Sequence, residues 1–385
     1  MPMMEKALTG SRRYWAWLLV LLCIIGAGVF CYLLQLDRGL AITGLSRDVS
    51  WGLYIAQFTF FVGVAASAVM VVLPYYLHNV KEFGRITILG EFLAIAAVIM
   101  CILFIFVDLG QPARIFNIIL YPSPRSLMFW DMISLSGYLL LNAVIAFVTL
   151  RAEHEEVAAP RWIKAIAILS IPWAISIHTV TAFLYSGLAG RTFWLTAILA
   201  PRFLASAFAA GPALLILLCL ALRRLAGFDA GDAAIGKLAV MMAYAMAINV
   251  FFSLVEIFTV FYAGVPEHIE HFEFLYLGIG GNRSLVPWMW MSALFAVAAL
   301  ALLMVPNWRK AFLPWACILV FASLDLEKGL ALIVAGFVPS PLGAVTPYAP
   351  TLPECAIVAG IWAVGALLVT VFYKMVVAVR REAES

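Results

Sequence analysis

Ten stretches of the chain run apolar for long enough to cross a bilayer: about 14–35, 51–77, 87–107, 128–150, 162–186, 204–225, 237–263, 288–305, 311–337 and 355–378. A helical span needs roughly 20 apolar residues. Membrane β-strands instead alternate apolar and polar positions, and these runs do not. The pattern predicts an all-α integral membrane protein with about ten transmembrane helices. No Pro- or Ser-rich linker divides the chain, and the two longest loops opposite the N-terminus, 264–287 and 338–354, are too short to fold alone. Residues 1–385 therefore read as a single polytopic membrane domain.

Composition agrees: 65% of the 385 residues are hydrophobic and 12% charged, against about 25% charged in soluble domains. A net charge of +3, with scattered basic residues, gives no sign of nucleic-acid binding. Of the 24 Lys and Arg, sixteen fall on the N-terminal side of the alternating spans. Seven (Arg38, Arg47, Arg114, Arg125, Arg191, Arg202 and Arg283) fall on the other, and Lys328 lies within a span. Cytoplasmic flanks are enriched in these residues, so both termini are expected in the cytoplasm. Arg12 and Arg13 before an apolar run resemble an export signal, but the run is long enough to span, and a retained first helix with a basic inner flank is the better reading.

The six cysteines stand singly, with no Cys-x-x-Cys, and of the five histidines only His178 lies inside a span. An iron-sulfur cluster needs about four thiolates, and a transmembrane haem usually two facing axial ligands. Neither is expected in this chain. No phosphate-binding Gly-x-x-x-x-Gly-Lys occurs, and Gly278, Gly280 and Gly281 lack the strand and helix of a dinucleotide fingerprint.

Ionisable groups inside a membrane are costly and mark candidate functional sites. Gln57, Asp108, Asp131, His178, Thr181, Tyr185, Glu256, Asp325, Glu327 and Lys328 all fall in the half of their spans opposite the N-terminus. Glu91 and Asn142 fall in the inner half and Asn249 near the middle. His178, Thr181 and Tyr185 share one helix face at i, i+3 and i+7. Bland readings stand beside these. Asp325 and Lys328, three apart, can neutralise each other. Asp108 can cap a turn, His178 can be a packed core histidine, and Glu91 can be a solvated face residue. Glu256, set among phenylalanines with no partner on its own helix, reads as a proton carrier or as a bond to a neighbouring helix. A polar pocket with a histidine, carboxylates and a tyrosine suits a quinone, whose carbonyls accept hydrogen bonds and whose reduction takes up protons. His178 titrates near pH 6.5 when unperturbed and can relay them.

At these residues the sequence resembles the polysulfide reductase membrane-subunit (NrfD-like) family. The matching pieces are Trp51-Gly52-Leu53-Tyr54-Ile55, Asp108-Leu109-Gly110-Gln111-Pro112-Ala113-Arg114, Ser126-Leu127-Met128-Phe129-Trp130 and His178-Thr179-Val180-Thr181-Ala182-Phe183. The C-terminal part, from Glu327-Lys328-Gly329-Leu330 through Gly336 to Gly343 and Pro350 to Glu354, looks most like the ten-span branch. Within that branch it is most similar to membrane subunits of sulfite-reductase-associated complexes of sulfur-metabolising prokaryotes. Ala182 and Asp131 stand where the family commonly has glycine.

The resemblance implies two four-helix bundles, helices two to five and six to nine, with an extra helix from each end of the chain. It implies residence in a prokaryotic cytoplasmic membrane and a menaquinone-type or other quinone near the external face. The partners it implies are an external ferredoxin-like iron-sulfur subunit, with further cytochrome and membrane subunits of the same respiratory complex. The expected quinone-binding residues are His178, Asp108, Tyr185, Thr181, Gln57, Arg114 and Asp131; the expected proton-transfer residues are Glu256, Asp325, Lys328 and Glu91. On this reading the chain is either non-catalytic alone or the quinone-oxidoreductase subunit of a complex. A secondary transporter would also show intramembrane carboxylates, though near the midplane on broken helices. A purely structural anchor would not require the His178 stripe.

Overall fold

The computed structural model describes residues 5–6 and 9–384. Its principal helices are α1 (Arg12–Arg38), α2 (Leu53–Ala65), α3 (Val69–Tyr76), α4 (Gly84–Asp108), α5 (Leu127–His154), α6 (Arg161–Ser186) and α7 (Leu199–Ala226). They continue with α8 (Asp232–Ala263), α9 (Pro266–Tyr276), α10 (Val286–Met304), α11 (Pro306–Leu324), α12 (Leu332–Ala335) and α13 (Leu352–Glu384). Among the described residues, nine helical segments are long and apolar enough to cross a membrane, α2 and α3 together forming one. The tenth expected span, 311–337, is α11 and α12 joined through a π-helical stretch, Asp325–Ala331. It falls short of a uniformly apolar span because Asp325, Glu327 and Lys328 sit within it.

The helices pack as the resemblance implies. One bundle holds α2 with α3, α4, α5 and α6; the other holds α7, α8, α10 and α11. Helix α7 and the π-helical stretch lie against α2, so the two bundles meet there. The flanking helices α1 and α13 pair with each other, and α13 lies along α4 beside the first bundle. Their crossing is set by two glycines: a Cβ on Gly28 would stand 2.9 Å from the Gly360 Cα, and one on Gly360 3.0 Å from the Gly28 Cα.

The second span is broken at Ala66–Ala68, without a proline. Tight i→i+3 bonds close α2, Ala66 N–H to Gly63 O and Ser67 N–H to Val64 O, and Ser67 Oγ donates to Gly90 O at 3.3 Å. Gly211 of α7 lies against this break, where a Cβ would meet the Ser67 backbone at 2.8 Å.

The chain ends and the inner loops share one face, here the terminal face; the opposite one is the distal face. On the terminal face Lys6 pairs with Glu382, and Arg380 holds Glu153 through two bonds of 3.0 Å. On the distal face the loop before α13 is pinned to the N-terminus of α2 by Glu354, which is wholly buried. Its carboxylate accepts from Gly44 N–H (3.0 Å), Leu53 N–H (3.3 Å) and the Tyr348 hydroxyl (2.5 Å). An anion there also meets the positive end of the helix dipole.

Candidate functional site

Two buried polar clusters face each other across the junction of the bundles. The first lies among α2, α5 and α6. His178 is wholly buried, with Nδ1 2.7 Å from Ala174 O one turn back, while Nε2 has no partner among the described residues. A carbonyl only accepts, so Nδ1 carries the proton, and in neutral imidazole Nε2 is then a bare acceptor. One turn on, the Thr181 hydroxyl lies 2.8 Å from Asp131 Oδ1 and 2.7 Å from Ile177 O. After a further turn the Tyr185 hydroxyl meets Thr59 Oγ1, whose own hydrogen goes to Ile55 O at 2.7 Å. The i, i+3, i+7 stripe thus faces the bundle interior along its whole length.

The distal end of this cluster is closed by aromatic rings. Trp51 stacks on Trp194 at 5.8 Å, and the edge of Tyr185 meets both rings. Trp194 is itself fixed by donating to Leu332 O at 2.9 Å. Asp108, at the distal end of α4, has a buried Oδ1 with no partner among the described residues. Arg114, in the turn that follows, is exposed and stands outside the buried cluster.

The second cluster lies among α7, α8 and the π-helical stretch. Arg202 pairs with Glu256 and, at 2.5 Å, with Glu327. Glu327 also accepts from Ser253 (2.7 Å) and Asn249 (3.3 Å). Glu256 is therefore not the isolated acid that its own helix suggests: its partner comes from a neighbouring one. The apolar run starting at 204 places Arg202 in a loop, but the residue sits in the first turn of α7, inside the bundle. Its position two residues before that run is the one signal the sequence offers.

The π-helical stretch joins the clusters. The wider turn of a π-helix sends three charged side chains in three directions. Asp325 Oδ1 accepts from Gln57 Nε2 at 2.9 Å, and Gln57 Oε1 accepts from Trp362 of α13 at 2.9 Å. Glu327 enters the second cluster. Lys328 Nζ donates to Phe203 O at 3.3 Å and lies 4.4 Å from the centre of the Phe203 ring. The mutual neutralisation of Asp325 and Lys328 does not occur, because i and i+3 no longer share a face. A narrow cavity with room for about one water opens among Arg202, Phe203, Ser206, Asn249, Glu327 and Lys328.

Glu91 lies apart from both clusters. Far from being a solvated face residue it is 1% exposed, because α3, α5 and α13 pack around α4 at this level. The inner residues also bond apart: Asn142, in the first bundle, donates to Tyr138 O, and Asn249, in the second, donates to Glu327.

A family model described as polysulphide reductase, NrfD, matches residues 41–339. The membrane subunit of a putative dimethyl sulfoxide reductase of Halobacterium salinarum is 28% identical over 93% of this chain and 89% of its own length. A subunit of the selenate reductase of Mesobacillus selenatarsenatis is 22% identical over 83% of this chain and 82% of its own. An Hdr-like menaquinol oxidoreductase integral membrane subunit of Archaeoglobus fulgidus is 28% identical over 54% of this chain and 50% of its own. With the match covering most of its length, and the motifs at Trp51, Asp108 and His178 lying inside the matched region, the chain belongs to the NrfD polysulphide reductase family of membrane proteins.

Proposed function

We propose that this chain is the quinone-reactive membrane subunit of a multisubunit respiratory redox complex. In this reading it lies in the prokaryotic cytoplasmic membrane with its terminal face inward. A menaquinone-type quinone binds near the distal face, and electrons pass between it and an external ferredoxin-like iron-sulfur subunit. The observation that carries this is the unpartnered Nε2 of His178, a bare acceptor in a wholly buried polar stripe. Buried polar atoms are nearly always bonded, so one left over beside a satisfied Thr181–Asp131 pair marks where a ligand's hydroxyl fits. Asp108 Oδ1, also without a partner, supplies a second such atom toward the distal end.

The quinone supplies a two-electron, two-proton couple. The chain's residues hold and move the protons: His178 Nε2 accepts one from a bound hydroxyl, while Ala174 fixes the ring and Asp131 with Thr181 borders it. Tyr185, Trp51 and Trp194 exclude water on the distal side. Gln57, Asp325 and Lys328 form the polar wall toward the second bundle, with Lys328 as the group best placed to return a proton. Arg114, exposed, serves the partner's docking face rather than the ring pocket. Glu256 is tied to Arg202 and holds the bundle in place. The C-terminal resemblance, from Glu327 to Gly343, extends the reading to sulfur metabolism and to further cytochrome and membrane subunits of the complex.

The test is His178→Ala in the intact complex. Quinol-linked electron transfer should fall by about a hundredfold or more, the range for loss of a positioned proton acceptor, while the subunits still co-purify. Wild-type turnover in that variant would sink the assignment.

A further inference from the structure

We propose that the groove at the base of α4, on the terminal face, binds the headgroup of a zwitterionic aminophospholipid, with Glu156 taking its ammonium and Arg85 its phosphate. This site lies at the opposite face from the His178 cluster and does not depend on what binds there.

Helix α5 ends in a turn that needs a left-handed residue. Val157 N–H reaches back to Ala152 O at 3.0 Å, and Glu156 N–H to Glu153 O at 3.3 Å, the bond pair of a Schellman motif. The residue at its centre, Glu156, has φ 54°. A Cβ carries a steric cost there that glycine avoids. The chain ends α7 and α8 with left-handed glycines, Gly227 (φ 62°) and Gly264 (φ 67°). At α5 it places a glutamate instead, and among the described residues no hydrogen bond or ion pair holds that exposed carboxylate. A residue held in an unfavourable backbone region is a pointer to function.

Glu156 stands on the wall of a groove of about 380 Å³, within the range of roughly 300–1,000 Å³ common for small-ligand sites. The other walls are Glu153 at the end of α5, Arg85 in the first turn of α4, Val379 and Arg380 of α13, and Phe228 between α7 and α8. Arg380 and Glu153 cancel each other's charge through two bonds of 3.0 Å, and the Arg380 guanidinium lies 5.7 Å from the Phe228 ring centre. The groove thus keeps one carboxylate, Glu156, and one guanidinium, Arg85, for a ligand that carries both signs. Arg85 donates to Asp229 O at 3.3 Å, and its five N–H groups suit it to serve a phosphate oxygen as well.

The surroundings favour a lipid over a free zwitterion. Val157 and Trp162, on either side of the turn into α6, are exposed, and tryptophans gather at headgroup level. On the membrane side of the groove, α5 and α13 form an apolar seam. The rings of Phe147 and Phe372 lie 6.0 Å apart there, and both pack on Phe92 of α4, at 5.3 and 4.7 Å. An acyl chain laid along this seam brings its headgroup to Glu156 and Arg85.

Thermal unfolding of the full chain in detergent, followed by its tryptophan fluorescence, tests this without quinone or partner subunits. Phosphatidylethanolamine should raise the melting temperature. Phosphatidylglycerol, which lacks the ammonium, and soluble phosphoethanolamine, which lacks the chains, should not. Glu156→Gly removes the strain and the carboxylate together: it should melt about 2 °C above the wild type without lipid and lose at least half of the rise with phosphatidylethanolamine. Glu156→Gln keeps the strain and drops the charge, so it should lose the same part of the rise from an unchanged baseline. An equal rise with phosphatidylglycerol would show that the ammonium is not read, and an equal rise with phosphoethanolamine that the ligand is not a lipid. A full rise in both Glu156 variants would show that this carboxylate does not hold the headgroup. Each of these results overturns the proposal and leaves the role of His178 untouched.

Discussion

Replacing Arg202 with Met removes the one cation that Glu256 and Glu327 share. The two carboxylates are 9% and 14% exposed, too little for water to take over. Breaking a buried ion pair costs about 3–5 kcal/mol, chiefly because a charge is left uncompensated. Here one guanidinium serves two acids, which puts the expected loss at the upper end of that range. The same reasoning makes a second, opposite prediction. The triple variant Arg202→Met, Glu256→Gln, Glu327→Gln removes all three charges, and replacing a whole buried ion network is often neutral, so most of the stability should return. Thermal unfolding followed with a thiol-reactive fluorogenic maleimide is the natural assay, because Cys101, Cys219 and Cys317 are buried and react only on unfolding. The exposed Cys23 and Cys355 and the part-exposed Cys31 are first changed to Ser. The single variant should melt well below the parent, with the triple variant between them. An Arg202→Met protein that melts with its parent, or a triple variant that melts below it, would refute the view of this cluster as a charge-balanced brace.

Two further outcomes follow from the distal face. Glu354→Ala strips the acceptor from Gly44 N–H and from the Tyr348 hydroxyl, while Leu53 N–H keeps the Tyr348 oxygen at 2.6 Å; each orphaned donor costs about 1–3 kcal/mol, so limited proteolysis should cut within 339–351 in the variant and spare the wild type. His271, on α9 outside the spans, bridges Val338 O (3.2 Å) and Thr192 Oγ1 (3.0 Å), and burial holds its imidazole below its ordinary value. The unfolded loop therefore binds a proton more readily than the folded one. This contribution is whole above about pH 6.5 and is lost as pH falls below that. The protection of amides across 266–276 and 338–345, taken relative to their intrinsic exchange rate at each pH, should fall on going from neutral to mildly acidic pH in the wild type, and pH-independent protection would count against the bridge.

Much of the architecture is legible in the chain because membrane spans announce themselves by length and polarity. The His178 stripe is equally legible: i, i+3, i+7 on one face says that three polar residues share a surface. What the chain hides is everything that crosses between helices. Glu256 looks solitary on α8, and only packing brings Arg202 to it. The break after Ala65 has no proline and few local cues; it is held by Ser67 reaching Gly90 and by Gly211 clearing space on α7. Asp325 and Lys328 three apart suggest a pair to anyone assuming an α-helix, and the π-helical turn undoes that assumption. Glu91 near a helix end reads as solvated until α13, from the far end of the sequence, is laid against α4.

The two clusters differ in a way that assigns them different work. In the second, Glu327 finds Arg202, Ser253 and Asn249, Glu256 is paired, and every polar group named has a protein partner. A network satisfied in this way has little to offer a ligand, and exchanging its charges should show first in stability. In the first, two buried atoms have no partner among the described residues, the Nε2 of His178 and, toward the distal end, the Oδ1 of Asp108, and the histidine is wholly buried. A protein that leaves such an atom in its interior gives up about 1–3 kcal/mol for the missing bond, a loss that a bound hydroxyl recovers. Lys328 stands between the two and, among the described residues, is held by a backbone carbonyl and an aromatic face and no carboxylate, so a change in its protonation breaks no ion pair there. The division predicts that changes at Arg202, Glu256 and Glu327 alter melting before turnover, and that changes at His178 alter turnover before melting. The reverse order at either cluster would mean that satisfied and unsatisfied polar groups do not separate brace from site in this fold.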